Sequence, residues 1–107
     1  MRNSDNTRLV VYTLQNCIYC KVLKGKLIEE NIDYIEITID DGNMSHSMTG
    51  DKLEELYKTE SYPIAILKNN GYNVFISKTD LVPRKGIIIF ETIEELIIKI
   101  KEKLNEV

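Results

Sequence analysis

Cysteine is scarce in this sequence: among 107 residues there are two, Cys17 and Cys20, both in the stretch CIYC. A disulfide stabilises chiefly by closing a long loop of the unfolded chain, so a bridge over so short a spacing constrains almost nothing and structural stapling is not its purpose. Histidine is scarcer still, with His46 alone. A structural zinc site takes about four ligands, so two thiolates and one imidazole would need a carboxylate or a second chain to complete it. Basic residues are outnumbered, 14 Lys and Arg against 17 Asp and Glu for a formal net charge of -3, which removes the overall electrostatic case for nucleic acid. No apolar run approaches the ~18 residues of a membrane span. The opening MRNSDNTRLVVYT lacks the basic start, apolar stretch and cleavage site of a secretory signal, so a soluble cytoplasmic protein is expected. Cytosolic thiols are kept reduced, and a close cysteine pair there is more often catalytic or metal-binding than structural.

What is present suits one domain: 43% hydrophobic and 29% charged residues provide a single core. Residues 1–7 are polar and aperiodic and read as a flexible tail, leaving 8–107 as the domain. LVVYT reads as a strand buried on both faces. In CIYCKVLKGKLIEEN, Cys20, Leu23 and Leu27 repeat at helical spacing, with Val22 and Ile28 widening the stripe. DYIEITID alternates, with Ile35, Ile37 and Ile39 on one side, so a parallel βαβ unit is expected. DGNMSHSMTG reads as a loop, followed by a short helix opened by an Asp51/Glu54 capping box and buried through Leu53, Leu56 and Tyr57. YPIAILK and YNVFIS flank the turn signal NNG and predict an antiparallel hairpin. KTDLVPRKG is left unassigned, and IIIF fits either a further short strand or the approach to the last helix. That helix opens with a Thr92/Glu95 capping box and carries Ile93, Leu96, Ile97, Ile100 and Leu104 on one stripe, ending near Asn105.

Cys17 falls where a strand has ended and a helix begins. Its sulfur should meet unpaired backbone N–H groups and the positive end of the helix dipole, both of which favour thiolate, and Lys21 and Lys24 add positive charge. Three residues on, Cys20 should lie one turn deeper within bonding reach. Such a pair supports thiol-disulfide exchange, with Cys17 attacking and Cys20 resolving. Ordinary buried thiols explain Cys20 but fit Cys17 poorly, because Cys17 precedes the apolar stripe. A metal or iron-sulfur site shared between two chains is a further alternative. His46 reads as a solvated loop residue outside the site, and the lysines at 99, 101 and 103 read as a solvated face.

VVYTLQNCIYCKVLKGKL resembles the start of a glutaredoxin, in which a strand ending Y-T or Y-S leads through a short loop to C-P-Y-C and a helix with Lys four positions later. Tyr12, Thr13, Cys17, Tyr19, Cys20 and Lys24 match, and Ile18 in place of the family proline is closer to the C-V-Y-C of short phage-type thioredoxins. The resemblance implies an α/β thioredoxin fold, with a four-stranded mixed sheet in the order β-α-β then α-β-β-α and helices on both faces. It implies further that Pro63, in SYP ahead of IAILK, is the fold's cis-proline, with Tyr62 presenting its backbone to substrate. Leu14 stands where many glutaredoxins have a glutathione-binding Lys, leaving Gln15 as a possible donor. The G-G-C-D or G-G-S-D motif is absent, with SKTD nearest and Thr79 and Asp80 its candidate contacts.

The expectation is therefore a dithiol-disulfide oxidoreductase with Cys17 as nucleophile, Cys20 as resolving thiol, and Tyr19, Gln15, Tyr62, Pro63, Thr79 and Asp80 around the substrate. No metal or organic cofactor is expected to be bound. Disulfide-containing proteins or glutathione mixed disulfides are the implied substrates, glutathione or a thioredoxin reductase the electron donor, and the protein is expected to be monomeric. The alternative is a thioredoxin-fold binding or assembly module whose cysteines are redox-idle.

Overall fold

In the computed structural model, which describes residues 7–69, 71–82 and 84–105, the apolar run after the N-terminal segment forms β1 (Arg8–Thr13). Residues 1–6 of the expected tail lie outside the described residues. There follow α1 (Ile18–Glu29), β2 (Ile35–Thr38), α2 (Met44–Tyr57), β3 (Ile64–Lys68), β4 (Tyr72–Ile76), β5 (Ile87–Ile89) and α3 (Ile93–Leu104). β1 pairs parallel with β2 and antiparallel with β3, and β3 and β4 form the expected hairpin. The sheet order is β2-β1-β3-β4-β5.

Strand alternation divides the core into two layers. Leu9, Val11, Ala65, Leu67 and Phe75 pack on one face with Leu23 and Leu27 of α1 and Leu96 and Ile100 of α3. Ile64, Val74 and Ile76 pack on the other with Ile39, Leu53 of α2, Tyr62 and Cys20. Burying each large aliphatic side chain contributes roughly 1.5–3 kcal/mol, so the stripes of α1 and α3 fix these helices to the sheet. The α1 stripe is narrower than expected: Cys20, Leu23 and Leu27 are buried, but Val22 and Ile28 face solvent. Leu56 of α2 is likewise exposed, leaving Leu53 and Gly50 on the buried side. Among the described residues no helix is long and apolar enough to cross a membrane.

The sheet has five strands, not four. Gly86, at φ 89°, turns the chain so that Ile87, Ile88 and Ile89 lie parallel to Val74, Phe75 and Ile76. Ile87–Ile89 thus form a strand that covers the edge of β4 and leads Phe90 into the core.

α2 begins at Met44, seven residues before the expected Asp51, so most of DGNMSHSMTG is helix rather than loop. Asn43 is the reason. Its side-chain oxygen accepts the backbone N–H groups of Ser45 (2.9 Å) and His46 (3.3 Å), satisfying donors that a helix start leaves open. His46 is accordingly a helix residue, with Nδ1 2.9 Å from Asp41 Oδ2. Gly50 sits where α2 meets Ile39, and a Cβ there would come within 2.3 Å of Ile39 Cγ2. The residues that suggested a loop are a cap and a contact point. In α3 the capping bond forms as expected, Glu95 N–H donating to Thr92 Oγ1 at 3.1 Å. The lysine face is bonded rather than merely solvated: Lys101 pairs with Glu30 at 2.5 Å, and Lys99 donates to the Ile89 carbonyl at 3.0 Å.

Two glycine-to-alanine changes separate helix propensity from packing. Gly25 has nothing within 4 Å of a built Cβ, so Gly25→Ala should stabilise by up to about 1 kcal/mol. Gly50→Ala should destabilise by about 1–3 kcal/mol, because the β-branched Ile39 cannot move aside freely. Urea denaturation of both variants checks the opposite signs, and Ile39→Ala should relieve the second.

Candidate active site

The turn from β1 into α1 is made by Asn16, whose φ of 56° is a left-handed conformation that asparagine tolerates. The preceding residue is pinned from outside: Gln15 N–H donates to Asp40 Oδ1 at 2.8 Å, and its side-chain amide donates to the Asp40 carbonyl. Cys17 is thereby delivered as the N-cap of α1, with extended backbone. Its carbonyl accepts the Lys21 N–H at 3.1 Å, and its sulfur accepts the Cys20 N–H at 3.2 Å. A sulfur in this place takes the role that a serine or aspartate oxygen plays at other helix starts, and an N–H donor together with the positive end of the helix dipole favours negative charge on it.

Cys17 and Cys20 are joined as a disulfide, with Cα atoms 5.2 Å apart. Cys20 is 1% exposed among Ile39, Leu53 and Ile64, whereas Cys17 is partly exposed. Ile18 and Tyr19, at 73% and 67%, stand out into solvent beside it. The pair therefore has an accessible sulfur and a covered one.

The Tyr62–Pro63 peptide bond, just ahead of β3, is cis. It brings the Tyr62 carbonyl oxygen to 3.9 Å from Cys17 Sγ. The Tyr62 side chain turns inward and donates its phenolic hydrogen to Glu54 Oε2 at 2.7 Å. Burial, and then the Glu54 carboxylate beside it, push the phenol's pKa well above its ordinary value, so it remains a donor at any physiological pH. On the Tyr19 and Tyr62 side of the disulfide opens a cleft of about 480 Å³ that neither sulfur itself lines, walled by Tyr19, Ser61, Tyr62 and Pro63 and by Ser77, Lys78 and the 90–93 segment that starts α3.

The structure thus brings Tyr19, Tyr62 and Pro63 together beside Cys17 and Cys20. Gln15, Thr79 and Asp80 are placed outside the cleft lining. Thr79 Oγ1 donates to the Tyr57 carbonyl and accepts the Leu81 N–H, while the Asp80 N–H donates to the Lys58 carbonyl at 3.1 Å, so both bind this loop to the end of α2. Sequence reading missed Ser61, Ser77, Lys78 and the start of α3 as cleft walls. The Thr92/Glu95 capping signal located the helix, but only the pairing of β5 with β4 shows where it starts in space. Among the described residues, no group of three or more His, Cys, Asp or Glu side chains could hold a metal ion.

Behind α1 lies a polar cluster. Thr13 Oγ1 donates to Glu36 Oε2 at 2.7 Å, Lys24 Nζ reaches the same oxygen at 3.0 Å, and Thr38 Oγ1 is 3.3 Å from Thr13 Oγ1. Burial pushes the Glu36 carboxyl up, but the hydrogen bonds from Thr13, Lys24 and Thr38 outweigh it and hold the group below the ordinary glutamate range. The Lys24 ammonium is thus paired with Glu36.

A glutaredoxin, grx-1 of Archaeoglobus fulgidus, matches this structure with a TM-score of 0.51 over 64% of this chain and 74% of that one, at 22% sequence identity. The chain has a glutaredoxin-like thioredoxin fold, with β5 added to the expected four strands. No protein-family model and no curated protein matches the sequence.

The Glu36 cluster gives stability a defined acid limb. A carboxyl whose folded pKa lies below its unfolded value stabilises fully above the unfolded value, about pH 4 to 5, and loses that contribution as pH falls through the folded value. Glu36→Gln should therefore be less stable than the parent chain at pH 7, and the difference should shrink below about pH 4, as read from urea midpoints across pH.

Proposed function

We propose that this chain is a thiol-disulfide oxidoreductase acting through Cys17 and Cys20. The observation that carries the proposal is the unequal placement of the two sulfurs: one partly exposed at the mouth of α1, the other buried a turn deeper, with an open cleft alongside. In the reduced protein the Cys17 thiolate attacks one sulfur of a target disulfide. The target S–S bond breaks, its other sulfur leaves as thiolate and takes a proton from water, and a mixed disulfide remains. Cys20 then loses its proton and attacks Cys17, releasing the second target thiol and closing the Cys17–Cys20 disulfide. Two electrons have passed to the target, and a thiol donor, glutathione or a reductase-linked dithiol, returns them.

Tyr19, Tyr62 and Pro63 border the approaching disulfide in this reading, while Gln15, Thr79 and Asp80 hold the neighbouring loops. The chain completes this cleft by itself, which suits a monomer, and the chemistry suits the reducing cytoplasm. Protein disulfides and glutathione mixed disulfides are both candidate substrates. For the latter, Lys78 is the lysine among the cleft walls that a glutathione carboxylate would pair with.

Alkylation of the reduced protein across pH, followed by turnover of a protein disulfide and a glutathione mixed disulfide, tests the proposal. Cys17 should react well below the ordinary thiol pKa and Cys20 should be protected. Cys17→Ser should abolish turnover, and Cys20→Ser should accumulate mixed disulfides detectable by mass. Unaltered exchange by Cys17→Ser would discard the mechanism; no turnover by the parent chain would favour the redox-idle module. Lys78→Ala should raise KM for the glutathione mixed disulfide by about two- to fivefold, less at high salt, in line with a solvent-exposed ion pair.

A further inference from the structure

The carbonyl edge that faces Cys17 belongs to Tyr62, and the Tyr62 side chain is held from below. Tyr62 as a whole is 8% exposed, and its hydroxyl donates to Glu54 Oε2 at 2.7 Å. Glu54 stands in the closing turns of α2 and is absent from the cleft walls. The same end of α2 carries the opposite side: the Tyr57 carbonyl accepts from Thr79, and the Lys58 carbonyl accepts from the Asp80 N–H, just beyond Ser77 and Lys78. One helix end therefore sets both edges of the opening beside the disulfide. A phenylalanine would fill the core around Tyr62 equally well, so the hydroxyl and its charged acceptor call for another account.

We propose that Glu54 is a positioning residue of the redox site: through the Tyr62 phenol it fixes the pre-proline carbonyl beside Cys17, and so determines how well an extended polypeptide disulfide is held there. Resting on the thiol-disulfide reading above, it adds a substrate-binding role for a residue that touches neither cysteine. A backbone carbonyl can serve a peptide N–H flanking the target cysteine. A small symmetrical disulfide has no such group to offer, so the two substrates should respond differently.

The test compares reduction of a model peptide containing one disulfide with reduction of bis(2-hydroxyethyl) disulfide, well below the thermal midpoint. Loss of a charge-assisted hydrogen bond is worth about a factor of ten. Glu54→Ala should raise KM for the peptide about tenfold, with a much smaller change for the small disulfide. Glu54→Gln, whose amide oxygen still accepts the phenolic hydrogen, should recover most of that loss. Tyr62→Phe should resemble Glu54→Ala, and the double variant should be no worse than either single one, since both remove one interaction. A bond that serves stability alone would lower the melting temperature of Glu54→Ala, Tyr62→Phe and the double variant and leave their peptide KM unchanged, which overturns this inference while the redox reading stands. If Glu54→Ala does not fold, the volume-conserving Tyr62→Phe and Glu54→Gln decide the matter by the same KM comparison. No turnover of either disulfide by the parent chain overturns both readings.

Discussion

The chemistry of this fold turns on the unsatisfied N–H groups at the start of α1. A helix leaves its first four donors without intrahelical partners, and here a sulfur rather than an oxygen answers one of them, the Cys20 N–H donating to Cys17 Sγ. The sequence reaches this geometry through constraints that are not themselves chemical. β1 ends at Thr13, Asn16 takes a left-handed backbone and Asp40 holds Gln15, and together these deliver Cys17 as the N-cap. The buried stripe of Cys20, Leu23 and Leu27 then fixes the helix's rotation, which decides that the second sulfur is covered while the first is not.

α2 plays a different part. It contributes no side chain to the cleft walls, yet its C-terminal turns hold Tyr62 through Glu54 and the 79–81 loop through the Tyr57 and Lys58 carbonyls. These are carbonyls that a helix end leaves open, used to tie down neighbouring chain. Lys58 closes the helix in the left-handed conformation, which directs the chain at once toward Thr59 and the cis-proline segment. The site is thus assembled between the start of one helix and the end of another, on opposite faces of the sheet.

How far this was legible in the sequence depended on whether each signal was local. The βαβ start, the hairpin around NNG, the α3 cap and the cysteine pair rest on short-range patterns, and each lies where its pattern placed it. Gly50 illustrates the opposite case. A glycine among serines reads as loop because its benefit, room for Ile39, comes from a residue on another element. Glu54 likewise read as half of a capping box, when its carboxylate is directed to Tyr62. Ile87–Ile89 could not be assigned from three isoleucines alone, since a short apolar run fits a strand or a buried approach equally; the free edge of β4 decides it. Val22, Ile28 and Leu56 are apolar yet exposed, a reminder that hydrophobic periodicity marks which residues could be inside rather than which are.

The same distinction bears on Thr79 and Asp80, expected as ligand contacts, whose hydroxyl and backbone N–H respectively find partners at the end of α2. Their residue types suit hydrogen bonding to a ligand, and the family likeness suggested that use. A threonine hydroxyl near an open helix end, however, has a backbone carbonyl within its reach from the moment the chain folds, and a bound ligand must displace that partner or do without the contact. Lys78 has no such local partner offered by the α2 carbonyls, being one position earlier and on the exposed side of the turn. A shift of one residue along an extended segment exchanges an inward-facing group for an outward-facing one. Closing α2 therefore engages the Thr79 hydroxyl and the Asp80 N–H, and leaves Lys78 and Asp80 exposed to solvent.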